Sequence, residues 1–297
     1  MGGRMKSTTV CRAAVSIAVV IGLWGTAACT GGGSSGDPGQ SGKARSAGAA
    51  HADFATVLRR AESSTDRAKS VRVRSTTSLG SELSMTADGV LGWSGGTTGT
   101  VTIAYTSGTA AALMRRLGTT SMEARYLRDA YYARMGEKFA EQTGGKHWIR
   151  YGYDDLAGLD GGVGAELTSQ LQTSTPNQSV KLLLASQDVR KVGEEKVRGE
   201  ATTHYTGTLD VTDLVDGSLK KQLTQAGVTT ETVDIWVDGK DLLVKKVEKG
   251  RTASGAYSQT VYYSDYGVKV SATRPPASDT EDFGQLLKKT GGTGSTS

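Results

Sequence analysis

The two cysteines are the residues whose side chains are most reactive, because a thiol can be acylated, oxidised or bound to a metal. Cys11 and Cys29 are the only cysteines among the 297 residues. Cys29 follows a basic start, an uncharged apolar run over residues 13–24, and the small residues Ala27 and Ala28. This order is typical of a secretory signal, which is removed during export. Cys11 would leave with that signal, so no disulfide can form in the exported chain.

Cys29 also stands where a bacterial lipobox has its acylated cysteine. In that pattern the signal is cut just before the cysteine, and the thiol takes a diacylglycerol. Thr26 departs from the pattern, which most often has Leu there. The sequence therefore predicts a signal peptide over residues 1–28 and a lipidated Cys29 that anchors the chain to the extracytoplasmic face of the cell membrane. The alternative is an ordinary secretory signal with A-x-A-type cleavage, in which Cys29 is incidental.

The other candidates for chemistry do not form a catalytic or metal-binding set. His51, His147 and His204 lack the spacing of metal ligands, and His204 is interpreted as a strand residue that is hydrogen-bonded or exposed. The motifs G-x-S-x-G, H-E-x-x-H and S-x-x-K do not occur. Adjacent acids such as Asp154-Asp155 do not point at one target, so we interpret them as solvated. The sequence therefore predicts no enzyme, no metal and no cofactor.

Net charge argues against a nucleic-acid partner. The formal charge is +5, and loss of residues 1–28, with three basic residues and no acid, lowers it to about +2. No basic stripe interleaved with aromatic residues occurs, so no nucleic-acid partner is predicted. Beyond the signal, no stretch approaches the roughly 18–20 apolar residues that span a bilayer. We expect a monomer that is soluble apart from its lipid.

Composition separates a body from two simpler ends. Residues 29–50 are rich in Gly, Ser and Ala, which predicts a flexible tether between the membrane and the body. Residues 286–297 are predicted to be a disordered tail. Residues 51–285 are predicted to form a single domain.

Hydrophobic periodicity indicates mostly strands within this body. Phe54, Val57, Leu58 and Ala61 recur at helical spacing, which predicts a helix over about 52–68. A short apolar helix is predicted after Pro176, and another helix over about 213–226. Period-two alternation predicts strands at 71–79, from 83 onward, and at 100–106, 122–128, 130–135, 147–151, 189–196, 201–211, 233–237, 243–249 and 259–266.

Two further signals complete the predicted topology. Asp238-Gly239 indicates a hairpin turn, and Pro275-Pro276 is expected to end the sheet. About ten or eleven sequential strands with helices before and within the series predict an α+β fold. Its natural arrangement is a half-open antiparallel β-barrel whose concave face is covered by the helices. Tyrosines and tryptophans in these strands indicate sheet packing or, alternatively, the lining of an apolar cleft.

Several segments of the second half resemble the LolA-like and LppX/LprAFG-like lipoproteins of actinobacteria. The segment Thr202-Thr203-His204-Tyr205 precedes Val233-Asp234-Ile235-Trp236-Val237-Asp238, and Asp265-Tyr266-Gly267 leads to the proline pair. The early strand Ser70-Val71-Arg72-Val73 fits the same pattern. The resemblance covers residues 52–283, and its motifs specify the fold better than the ligand.

The resemblance implies a half-barrel in which helices close a hydrophobic cavity that binds or carries lipid or lipidated cargo. The helix containing Leu183 would form part of a lid. Each residue of the expected lining can equally be plain core. A ligand-free module that senses the envelope or binds another protein is the alternative function. The residues expected to line the cavity are Val71, Val73, Leu83, Met85, Val101, Ile103, Leu183, Val233, Ile235 and Val237.

Overall fold

The computed structural model describes residues 43–157, 175–213, 227–252 and 255–291, together with 164, 168, 171–172, 220 and 223–224. In this part of the chain, unit 1 comprises residues 70–174 and 265–291, and unit 2 comprises residues 43–69 and 175–264. The predicted signal peptide, Cys29, most of the tether and most of the predicted helix over 213–226 lie outside the described residues.

The described residues include twelve strands whose first and last residues are both defined. They are β1 Ser70–Leu79, β2 Leu83–Gly92, β3 Thr98–Ser107, β4 Ser121–Tyr126, β5 Ala130–Arg134, β6 Trp148–Gly152, β7 Arg190–Val197, β8 Glu200–Asp210, β9 Thr230–Asp238, β10 Leu243–Thr252, β11 Gly255–Ser264 and β12 Thr280–Asp282.

Six α-helices are bounded in the same part of the chain. They are α1 Lys43–Ala68, α2 Gly108–Arg116, α3 Glu137–Gln142, α4 Tyr153–Ala157, α5 Asn177–Ala185 and α6 Phe283–Gly291. Short 3₁₀ turns cover Val211–Asp213 and Ala277–Asp279.

In unit 1 the strands run in the order β12-β6-β5-β4-β3-β2-β1. All neighbouring pairs are antiparallel except β12, which is parallel to β6. Alternation in β1 explains its two faces, because Val71 and Val73 are buried while Arg72 and Arg74 are exposed.

In unit 2 the strands run in the order β11-β10-β9-β8-β7, and all neighbours are antiparallel. Helix α1 buries Leu58, Ala61 and Thr65, which recur at three- and four-residue spacing on one side of the helix. Helix α5 packs against α1 and against β8 and β9. The prediction of an open antiparallel sheet with helices is confirmed, and among the described strands neither unit closes into a barrel.

Three predicted boundaries differ from the structure. Helix α1 begins at Lys43, so residues 43–50, for which composition predicts a flexible tether, are helical, because their four alanines favour a helix. Helix α6 occupies residues 286–291 of the predicted tail, and its first residue, Phe283, is buried. The sheet continues past Pro275-Pro276 into β12, because the chain returns beside β6.

Candidate functional site

Six of the ten residues predicted to line a cavity share one face of the unit 1 sheet. Register places Val73 opposite Gly89, and Gly89 opposite Val101. Paired residues of antiparallel strands point to the same face, so the six form one apolar surface. All six are buried: Val71, Val73, Leu83, Met85, Val101 and Ile103. We call this surface the apolar face of unit 1.

Three tyrosines continue the apolar face of unit 1 across β4, β5 and β6. Tyr126 lies opposite Tyr131, which lies opposite Tyr151. Ring centroids are 5.0 Å apart for the first pair and 5.7 Å for the second, and Phe283 packs 4.8 Å from Tyr151. Burial, and then neighbouring phenols, raise the pKa of Tyr131 well above its usual value. The hydroxyl of Tyr131 has no hydrogen-bond partner among the described residues.

The other four predicted residues belong to unit 2. Val233, Ile235 and Val237 alternate on one face of β9, and Leu183 is buried on α5. Gly207 of β8 lies opposite Val233 and brings α5 close to this face. A Cβ atom at Gly207 would lie 2.7 Å from Ser186 Oγ and 2.8 Å from Leu183 Cδ1. We call this surface, covered by α5, the inner face of unit 2.

The structure therefore places all ten predicted residues in buried positions, six in unit 1 and four in unit 2. Their role as a cavity lining stays a prediction. The short apolar helix predicted after Pro176 is confirmed as α5.

A charged cluster on the inner face of unit 2 was missed by the sequence analysis. Lys246 lies opposite Ile235, and Glu248 lies opposite Val233. The Lys246 ammonium donates to a Glu248 carboxylate oxygen at 2.9 Å, and the other oxygen accepts from Ser179 of α5 at 2.6 Å. Glu231 lies further along β9 in the same phase as Val233. Because side chains two residues apart on a strand point to the same face, the spacing of Glu231 from Val233 could have placed Glu231 on the inner face.

Glu231 is the least satisfied member of this charged cluster. Glu231 is 1 % exposed to solvent, and neither of its carboxyl oxygens has a hydrogen-bond partner among the described residues. Its cross-strand neighbours are Leu209 and Gly250, and neither carries a side-chain donor. Burial, and then the charge of Glu248, raise the pKa of Glu231 well above its usual value, although Lys246 opposes the shift.

The opposite face of unit 2 explains the motifs that carried the family resemblance. His204 lies opposite Trp236, and their rings stack at 4.1 Å. His204 Nε2 lies 2.8 Å from Asp234, and the Lys245 ammonium lies 3.7 Å from the centroid of Trp236. The indole N–H of Trp236 donates to Glu195. The interpretation of His204 as a hydrogen-bonded strand residue is confirmed, and the motif is structural.

The described residues offer neither a metal site nor a membrane-spanning helix. They contain no group of three or more His, Cys, Asp or Glu side chains arranged to hold a metal ion. Across the same residues, every helix is too short or too polar to cross a membrane.

Comparison with known proteins gives the family. SCO4650 of Streptomyces coelicolor, a protein named as a lipoprotein, is 54% identical over 300 residues, which cover 97% of this chain and 100% of that protein. The chain belongs to this Streptomyces lipoprotein family. No established family model matches the sequence.

Two solved structures that are similar to this chain come from mycobacteria. LprF of Mycobacterium bovis is 15% identical with a TM-score of 0.47, and the match covers 76% of this chain and 98% of that one. LppX of Mycobacterium tuberculosis is 16% identical with a TM-score of 0.47, over 75% of this chain and 99% of that one. Both names belong to the group that the sequence motifs resemble.

Proposed function

We propose that this lipoprotein is held at the extracytoplasmic face of the cell membrane by a diacylglycerol on Cys29 and binds or carries an apolar ligand without catalysis. The observation that carries the proposal is the apolar face of unit 1, where aliphatic and aromatic side chains continue across six strands. Burying an acyl chain against such a surface is favourable by roughly 25 cal/mol per Å² of apolar area. The family name supports the anchor.

The two cysteines allow a matched test of the anchor. Cys29→Ala removes the proposed acylation site, whereas Cys11→Ala changes a thiol inside the predicted signal. We expect the Cys11→Ala protein to incorporate radiolabelled palmitate and to stay with membranes, like the unaltered protein. The Cys29→Ala protein should incorporate no label and should appear in the culture medium. Membrane retention of an unlabelled Cys29→Ala protein would overturn the anchor.

Ligand carriage can be tested on the exported chain without its lipid. Native mass spectrometry after gentle purification should show co-purified apolar molecules, and a fluorescent apolar probe should bind once they are extracted. Val73→Trp adds bulk to the apolar face of unit 1, and Arg74→Trp adds the same side chain to the opposite, exposed face. We expect Val73→Trp to weaken probe binding and Arg74→Trp to leave it unchanged.

Two results would contradict ligand carriage. One is a protein that purifies without an apolar molecule and also fails to bind the probe. The other is equal probe binding by the Val73→Trp and Arg74→Trp proteins, both folded by circular dichroism. Recovery of one stoichiometric protein partner in crosslinked membranes, together with either result, would favour the ligand-free interaction module instead.

A further inference from the structure

The charged cluster on the inner face of unit 2 lies among buried apolar side chains, where charged groups are not expected. Glu231, Lys246 and Glu248 are each less than a tenth exposed. They point to the same face as Val233 and Ile235, as the register of β9 and β10 requires. Charged groups are almost never buried to this degree unless they are paired, so the cluster calls for an explanation.

Pairing explains two of the three charges. Glu248 accepts hydrogen bonds from Lys246 at 2.9 Å and from Ser179 at 2.6 Å, so both of its oxygens are satisfied. Lys246 balances the charge of Glu248. Among the described residues, Glu231 then remains as a second carboxyl group with no counter-charge of its own, because its neighbours on β8 and β10 are Leu209 and Gly250.

Charge balance identifies the group that Glu231 lacks. With both carboxyl groups ionised, the three side chains carry a net charge of −1. Without a partner, Glu231 is more stable as the neutral acid, since burial and the nearby Glu248 raise its pKa. A single added cation that donates hydrogen bonds would satisfy the Glu231 oxygens and neutralise the cluster.

Two other partners fit this cluster less well. A hydroxyl group could exchange hydrogen bonds with Glu231 only as a neutral acid, and such neutral bonds are roughly half as strong as the charge-assisted bond between an ammonium and a carboxylate. A metal ion would need more ligands, and the described residues offer no group of three acidic, His or Cys side chains for it. An ammonium group supplies both the charge and the donors. The flanking Val233 and Ile235 would contact the apolar part of the same molecule.

We propose that Glu231, supported by the Lys246–Glu248 pair, binds the ammonium group of an amine-bearing amphiphile whose apolar chain lies along the inner face of unit 2. This subsite rests on the proposed function and adds a class of ligand to it. Binding transfers the carboxyl proton of Glu231 to solvent, and the resulting carboxylate pairs with the ligand ammonium.

The test compares the binding of two ligands of equal chain length, n-dodecylamine and n-dodecanol, measured directly by equilibrium dialysis near neutral pH. The unaltered protein should bind the amine at least about tenfold more tightly than the alcohol, as expected for one charged hydrogen bond. Glu231→Gln should lower amine affinity to that of the alcohol and leave alcohol affinity unchanged. Asp234→Asn, on the opposite face of the same strand, should keep the preference for the amine.

Calorimetry gives a second measurement on the unaltered protein. Titration with dodecylamine in buffers of different ionisation enthalpy should detect proton release on binding, and titration with dodecanol should detect none. Equal affinity for amine and alcohol, or a preference that persists in Glu231→Gln, overturns the subsite while leaving the proposed carrier function intact. Failure of both ligands to bind overturns the carrier function and the subsite together.

Discussion

The apolar face of unit 1 and the inner face of unit 2 are built from the same kind of strand, yet they bury different chemistry. The face in unit 1 is aliphatic and ends in a row of tyrosines, whose phenols are neutral. The face in unit 2 has equally buried valine and isoleucine, but two carboxyl groups and one ammonium group lie among them. A purely structural core gains little from such charges, since a buried ion pair often adds no net stability over apolar residues. The charges of unit 2 therefore add little to stability, and the amine subsite proposed above is one role for them.

The largest effect should come from breaking the ion pair of unit 2. Lys246→Met leaves the Glu248 carboxylate buried with only Ser179 as a donor, beside Glu231. We expect the free energy of unfolding at neutral pH to fall by about 3–5 kcal/mol, measured by urea denaturation. The double variant Lys246→Met/Glu248→Leu removes both charges and should recover most of the loss. If the double variant is as unstable as the single one, packing and not charge explains the effect.

The next effect is a pH dependence that arises from Glu231. Its folded pKa is raised, so the folded state binds a proton more tightly than the unfolded state does. The stabilisation is therefore complete below the unfolded pKa of roughly 4.3 and is lost as the pH rises toward the folded pKa. Within that window, stability should fall by up to about 1.4 kcal/mol per pH unit relative to Glu231→Gln.

Comparing the two proteins at each pH isolates this contribution. Asp210, whose pKa is lowered by hydrogen bonds from Thr212, acts in the opposite direction, and its stabilisation is lost as the pH falls. That contribution is common to both proteins and cancels in the difference. Parallel stability curves for the unaltered protein and Glu231→Gln between pH 4.5 and 7.5 would show that Glu231 is not neutral in the folded state. The calorimetric proton release proposed above would then also be absent.

A smaller effect should follow from the close approach of α5 to Gly207. In Gly207→Ala the new methyl group would meet the side chains of Ser186 and Leu183, so these side chains must move from their packed positions at the inner face of unit 2. We expect a loss of about 1–3 kcal/mol by thermal or urea unfolding. Gly193→Ala in β7 is the control, because no atom lies within 4 Å of its Cβ position. Equal stability of the two variants would mean that α5 is not held at the inner face as the structure describes.

The two faces show which parts of the structure hydrophobic alternation in the sequence can predict. Alternation placed the nine strand residues of the predicted lining in buried positions, because one face of each strand must be apolar, whereas Leu183 was predicted from the apolar helix after Pro176. The same rule would have placed Glu231 inward, but a charged residue is ordinarily taken to face solvent. The sequence did not predict strand β12, for a different reason. Its three residues form a parallel pair with distant β6, and no local pattern records a contact between residues 280 and 148.

The smallest effect distinguishes the phenols of unit 1 from the charges of unit 2. The Tyr131 hydroxyl has no partner among the described residues, so Tyr131→Phe removes a buried polar atom without breaking a bond. We expect a change within about 0.5 kcal/mol, or slight stabilisation, by urea denaturation. The neighbouring Tyr132 faces the other side of the sheet, and its hydroxyl accepts from Arg274 at 2.6 Å. Tyr132→Phe should therefore cost about 1 kcal/mol. If Tyr131→Phe is the more costly change, its hydroxyl contributes to stability, and unit 1 would share the polar character of unit 2.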